Sequence, residues 1–388
     1  MNQTRRRLVA ATLGSALKPD SHAAAANHGG QAAQRHFAVQ IGNFGHGSAR
    51  TDAAPEVVQL GEGMAACIAK ANSMGGIRDR ELAFAQVSDR NDPAVFIDQF
   101  RQANAQGAVA VLCPYGGAHV KRMLDEHVLD AIGPTVVGVV PGAEVFRSPG
   151  HPKLLHVRAG DGRQIANILK HARQLGIRHV AVLAIANDAG RSGISAAQAA
   201  VESDGAMDVK AFQAGADRAS LRAAARALAA SEAECAVVVG PPLFMADAVL
   251  ALRSWSFRAF VYALSYLSPE LLVSVAGAQA TGVAISQVYP NPNGIVMPLQ
   301  REFRAAMRVH FPSIGHYSAF HLEGYVCARV VLEGLRRAQT IDGQSLAWAL
   351  RTANEIDLGG YPVDFSRGNG GSRYVDIAMA GADGRLRY

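Results

Sequence analysis

The stretch Lys70–Pro93, KANSMGGIRDRELAFAQVSDRNDP, decides the fold. A helix ending at Asn72 runs into Gly75-Gly76, and paired glycines suit the left-handed backbone at a helix C-terminus. Glu81–Val87 then alternates in the strand pattern and stops at Ser88-Asp89, a turn. Asp92-Pro93 supplies a cap and a first-position proline for the next helix. Helix, strand and helix in so short a span predict a β/α repeat.

Working outward, the same alternation recurs. Phe37–Gly42 reads as the first strand, followed by a Gly/Ser/Thr/Pro-containing loop to Pro55 and a helix over Gln59–Asn72. Ala108–Leu112, Thr135–Val140 and His179–Ile185 are short apolar runs bounded by turn signals, the mark of buried strands. Ala94–Asn104, Ala118–Ala131 and Gln164–Leu175 read as the helices between them. The second half repeats the theme: helix Ser192–Ser203, strand Asp208–Phe212, helix Leu221–Ala230, strand Ala236–Val239 and helix Met245–Ser254. Strands Phe260–Ala263 and Gly282–Ser286 and helices Leu299–Phe311 and Ser318–Arg337 complete it. Such alternation implies an α/β fold with parallel sheets covered by helices on both faces. One sheet does not hold this many strands, so two lobes are expected. Ligands of such sheets sit beyond the carboxyl ends of the strands.

Composition agrees. The 388 residues are 49% hydrophobic and 18% charged, which supports a large core and two domains. The formal charge is +6, of which Arg5, Arg6, Arg7 and Lys18 against Asp20 contribute half within the first 26 residues. The remainder carries no Lys/Arg cluster, so nucleic acid is not an expected partner. Residues 1–26 have the form of an export signal: a basic start, an apolar run over Leu8–Leu17 and small residues at Ala23–Ala26. Both a general secretory and a twin-arginine reading fit Thr4–Leu8. No later apolar run is long enough to span a bilayer, so no direct membrane insertion is expected. Cys67, Cys113, Cys235 and Cys327 show no Cys-x-x-Cys spacing, and the histidines form no metal pair. Gly190–Gly193 lacks nucleophile-elbow spacing, and Gly368–Gly371 is not placed as a phosphate loop. No catalytic residue, metal or cofactor is expected, and the chain does not read as an enzyme.

The order helix, Gly-Gly, strand, Asp-x-x-Asp-Pro, helix resembles the first lobe of periplasmic solute-binding proteins of the leucine/isoleucine/valine type. The resemblance runs over roughly Phe37–Tyr388. It is carried further by Ala108–Gly117 (AVAVLCPYGG), His156–Gly160 (HVRAG), Asn187–Gly193 (NDAGRSG), Ser268–Gly277 (SPELLVSVAG), Ala280–Ala284 (ATGVA), Gly359–Phe365 and Tyr374–Arg385 (YVDIAMAGADGR). It implies two Rossmann-like lobes joined by a three-segment hinge, the type I periplasmic binding fold. Residues 36–155 and about 288–353 would form the first lobe, and 156–287 and about 354–388 the second.

By this resemblance the ligand loops of the first lobe are Cys113–Ala118 and Gly138–Ala143. Pro114 stands at a family serine, and Pro141 or Gly142 at a family threonine. Amide groups of Tyr115, Gly116, Gly117 and Gly142 remain to bind an anion, with the Tyr115 phenol. Arg50, in the first loop, is either an anion clamp or a solvated residue. In the second lobe Ala189 replaces an aromatic residue, and the loop after Val239 includes Pro242, Leu243 and Phe244. Ser265, beside Tyr266, falls where the family places the acid that pairs with a ligand ammonium. Together with Val139 and Val140, these residues imply a pocket for a hydrophobic or aromatic acid or amide rather than an ordinary α-amino acid. The implied function is the substrate-binding subunit of an ABC importer, with a small molecule and a membrane permease as partners, in the periplasm. The alternative is a ligand-sensing module for a signalling partner.

Overall fold

In the computed structural model, residues 36–42, 44, 54–131, 133–202 and 205–388 are described. Among them the chain forms two open α/β sheets. The first sheet has the order β2-β1-β3-β4-β5, with β1 Phe37–Gly42, β2 Ala83–Ser88, β3 Ala108–Leu112, β4 Thr135–Val137 and β5 Leu154–Leu155. All its pairings are parallel. Helices α1 (Pro55–Ser73), α2 (Pro93–Ala105) and α3 (Gly117–Asp125) connect its strands. The order reverses beside β1, which is where a crevice opens in such sheets.

The second sheet runs β14-β13-β10-β9-β8-β6-β7. Its parallel part comprises β6 His179–Ile185, β7 Asp208–Ala214, β8 Cys235–Val239, β9 Phe260–Ala263 and β10 Ala284–Gln287. Helices α4 (Asp161–Gln174), α5 (Asp188–Glu202), α6 (Arg218–Ala229), α7 (Pro242–Ser254) and α8 (Pro269–Ala276) flank them. After α9 (Pro298–His310), α10 (Ala319–Arg337), α11 (Gly343–Thr352) and a small hairpin of β11 (Ile356–Asp357) and β12 (Pro362–Val363), the chain returns. There β13 (Asp376–Ala380) adds antiparallel to β10, and β14 (Leu386–Arg387) adds antiparallel to β13 at the edge. The predicted parallel sheets in two lobes are therefore the observed architecture.

The opening stretch folds as its residues dictate. Gly75 and Gly76 adopt φ of 99° and 71°. Asp92 caps α2 by accepting a hydrogen bond from the Ala94 N–H at 2.7 Å, with Pro93 in the first turn. Some boundaries differ. Helix α1 starts at Pro55, earlier than the expected Gln59, because that proline occupies its first turn. Helix α3 stops at Asp125, and His127 turns left-handed at φ 50° before a short 3₁₀ turn over Val128–Asp130. Strand β4 ends at Val137 because Gly138 turns at φ 81°. A Cβ there would meet the sulfurs of Cys327 and Cys113, so the turn requires glycine. Helices α8 and α11 lie in segments the sequence reading did not assign to helices, although Ser268-Pro269 and Asp342 cap them in the ordinary way.

Helix α10 packs lengthwise on α1. Gly63 approaches the carbonyl of His321, and Gly324 that of Leu60, too closely for any Cβ. Glu302 of α9 ties the three helices together: it accepts from Lys70 of α1 at 2.7 Å, from Tyr325 of α10 at 2.9 Å and from Arg329 of α10.

The chain passes between the sheets at three places: after β5, after β10, and after the β11–β12 hairpin. Two of these segments are laced by backbone. The His156 N–H donates to the Asn369 carbonyl at 2.7 Å, and Gly371 and Ser372 donate back to His156 and Val157 at 2.8 Å. The third is joined to this region by Tyr361, which donates to the Val288 carbonyl at 2.9 Å and stacks on Tyr289.

Candidate functional site

Loops at the carboxyl ends of strands from both sheets enclose a cavity of about 1070 Å³. From the first sheet come the β3–α3 loop (Tyr115–Ala118) and the loop after β4 (Val140–Ala143). From the second come Asp161 at the start of α4, Asn187–Ala189 after β6, Val239–Pro242 after β8 and Tyr266 after β9. A cleft of this size, walled mainly by apolar groups, is what a small-molecule site requires. Phe146, Met123, Leu129 and Ile185 extend the apolar wall.

Of the residues singled out from sequence, Tyr115, Gly116, Gly117 and Pro141 line this cavity, as do Val140 and Gly142. Ala189, Pro242 and Tyr266 line it from the other side. Four lie elsewhere. Val139 is fully buried in a cluster with Val111 and Phe96. Phe244 packs in the larger core against Gly240, while Leu243 is 57% exposed. Ser265 is turned inward, where it accepts from Arg158 at 2.9 Å and borders a smaller cavity of about 220 Å³. Arg50 lies outside the described residues. Cys113 is buried beneath the β3–α3 loop with φ 49°, and burial pushes its thiol pKa well up. A buried, protonated thiol is a poor nucleophile. Among the described residues no group of His, Cys, Asp and Glu is arranged to hold a metal, and no helix is long and apolar enough to cross a membrane.

Behind the cavity lies a polar network that sequence reading did not find. Arg158, 1% exposed, is on the first crossing segment. It donates to the Val140 carbonyl and to Ser265 Oγ, both at 2.9 Å. Its Nε lies 3.3 Å from Glu323 Oε1 of α10, and its guanidinium lies 4.6 Å from the Tyr266 ring centre. Burial works against the Arg158 charge, but Glu323 outweighs it and its pKa is raised. Burial likewise pushes the Glu323 carboxyl up, against the pull of Arg158 and of Tyr289, whose phenol donates to it at 3.4 Å.

Asp161 is the second such group. Its Oδ1 accepts from the Tyr266 phenol and, at 3.4 Å, from Gln164. Burial raises its pKa, against the hydrogen bond from Tyr266 and the charges of Arg147 and Arg158. Gly142 presses onto this pair: a Cβ there would lie 2.6 Å from Asp161 Oδ1 and closer still to the Tyr266 oxygen. Gln164 Oε1 meanwhile accepts from the Ser265 N–H at 3.0 Å and from Ser286 at 2.6 Å. A charge in the middle of HVRAG was the one signal for Arg158. Asp161 was hidden because an acid in a helix's first turn ordinarily only complements the helix dipole.

A family model described as "Periplasmic binding protein" matches residues 38–384. Among solved structures, an extracellular ligand-binding receptor from Verminephrobacter eiseniae is 41% identical, with a TM-score of 0.84 over 91% of this chain and 100% of that one. A leucine-binding protein from Thermotoga maritima (15% identical, TM-score 0.75, 91% and 97% covered) shares the fold. So does a fatty acid ABC transporter substrate-binding protein from Thermomonospora curvata (16% identical, TM-score 0.75, 92% and 91% covered). No curated protein sequence matches the chain.

Proposed function

Because the chain belongs to the periplasmic binding protein family, whose members bind substrates and are not enzymes, we propose that it is the extracytoplasmic substrate-binding subunit of an ABC importer. The observation that carries this reading is the cavity itself. It lies between loops of two sheets that are joined by three crossing segments, so one bound molecule touches both lobes. A ligand that touches both stabilises the closed arrangement, and its differential affinity drives closure. The closed form would then dock on a membrane permease. We place the first lobe at residues 36–155 and about 288–353, and the second at 156–287 and about 354–388. Residues 1–26 serve as the export signal in this reading.

The cavity wall supports a small hydrophobic or aromatic acid or amide. Pro141, Pro241 and Pro242 offer no N–H, and Ala189 offers no side-chain donor. The test is a thermal-shift panel on residues 27–388, stripped of ligand by unfolding and refolding. The panel holds branched-chain and polar amino acids, aromatic and aliphatic carboxylates, and small amides. A ligand at about 100 times its dissociation constant adds about 2.7 kcal/mol of stability. Stabilisation by a non-amino acid is the expected result; tight binding of leucine or valine would refute the ligand class. Transport is checked by loss of uptake of that compound when the gene is deleted.

A further inference from the structure

We propose that Asp161 selects a neutral apolar amide over the matching carboxylate; this rests on the capture reading above. Asp161 is only 6% exposed, yet it lines the cavity. Both of its side-chain hydrogen bonds fall on Oδ1, and Oδ2 accepts none from the described residues. A carboxylate oxygen is an acceptor without a proton to give, so it asks the ligand for an N–H or O–H.

The other charges of the wall are spent. Lys121 pairs with Asp125 at 2.6 Å, and His151 with Asp130 at 3.0 Å, and Asp188 with Arg191. The acids and Lys121 are more than half exposed, so they sit at the mouth in water. The guanidiniums near Asp161 are turned away from the cavity. Arg147 donates to the carbonyls of Gly142 and Arg158, and Arg158 donates to Val140 and Ser265 while facing Glu323. Neither is left to clamp an anion.

Three ligand head groups can be compared on this geometry. A carboxylate would set its charge beside Asp161 with neither guanidinium free to donate to it, which is disfavoured. An ammonium would meet an acid already compensated by Arg147 and Arg158, and would lose its hydration for little return. A neutral amide satisfies both sides. Its N–H donates to Asp161 Oδ2, and its carbonyl accepts from the Tyr115 phenol or from the first-turn N–H groups of α3 at Gly116–Ala118. The apolar body then lies against Val140, Phe146, Pro242 and Ile185.

The experiment is isothermal titration of the refolded protein with matched pairs: hexanamide against hexanoate, and phenylacetamide against phenylacetate, at pH 7. The expected result is that each amide binds about ten-fold or more tightly than its acid. Asp161→Asn, which offers a donor in place of the charge, should bring that ratio to within about two-fold. Acids that bind as tightly as amides to the unaltered protein would overturn the inference while leaving the capture reading intact. So would an Asp161→Asn protein that folds and keeps the full preference. If only an amino acid binds, the amide class is wrong but capture stands. If no compound of the wider panel binds, both readings fall. Should Asp161→Asn not fold, the ratio for the unaltered protein still decides.

Discussion

Removing Arg158 tests whether the charge buried behind the cleft ties the first crossing segment to α10 and to the loops after β4 and β9. Arg158 and Glu323 side chains are each 2% exposed and 3.3 Å apart. In Arg158→Met the Glu323 carboxylate keeps only the Tyr289 phenol, 3.4 Å away. Leaving one member of a buried pair uncompensated costs about 3–5 kcal/mol. The Val140 carbonyl and Ser265 Oγ also lose their donor, about 1 kcal/mol each if no water replaces it. These sum to about 5–7 kcal/mol, and uptake of a proton by Glu323 brings the expected loss to about 4–6 kcal/mol. The double variant Arg158→Met/Glu323→Leu removes both charges. It should be more stable than the sum of the single losses by about 2 kcal/mol or more. The assay is urea unfolding followed at once by circular dichroism and by tryptophan fluorescence. Trp255 follows α7 beside the second sheet, and Trp348 lies in α11 against the first. Coincident transitions license the double-mutant cycle. A single loss below about 1 kcal/mol, or a coupling below about 0.5 kcal/mol, would refute the reasoning.

Other predictions follow from packing and titration. Gly324→Val should separate α10 from α1 and lower stability by about 3 kcal/mol, read as a lower urea midpoint; an unchanged midpoint would mean that the helices are not held at that distance. Glu302 feels burial, which raises its pKa, but Lys70 and Arg329 outweigh it and the carboxyl is held below its usual 4.5. Its pairing therefore stabilises the fold above pH 4.5 and is lost as pH falls through the lowered value. Glu302→Gln should remove that part of the acid-side slope of a stability–pH curve, at a cost of about 1 kcal/mol near neutral pH. Asp161 has the opposite sign: burial raises its pKa above the usual 3.8, so stability is lost as pH rises from 3.8 through the folded value. Asp161→Asn should thus flatten the loss of stability on that side, measured as midpoint against pH.

The repeat of strand and helix was legible because it is written locally. Gly75-Gly76, Asp92-Pro93 and the five-residue run Ala108–Leu112 each state a backbone preference that neighbours do not contradict. Helices α8 and α11 carry the same kind of local signal in their caps, Ser268-Pro269 and Asp342. Gly138 shows the opposite limit: the end of β4 depends on the sulfurs of Cys113, just after β3, and Cys327 of α10, far apart in the chain. The candidate site divides the same way. Tyr115–Gly117, Pro141 and Pro242 could be placed because they follow strands, and loops after parallel strands face the crevice. Leu243 and Phe244 could not, because the helical turn of α7 sends one to solvent and the other into the core.

Thus the sequence by itself determined the class of fold, the two lobes and the loops that meet across the cleft, since each rests on spacing and backbone preference within a few residues. Only the tertiary structure decided which charges lie behind that cleft. Arg158 and Glu323 are 165 positions apart, and Asp161 and Tyr266 are 105 apart. Their pairing depends on burial that no local pattern encodes, and it is this burial that turns two ordinary charged residues into the polar framework of the site.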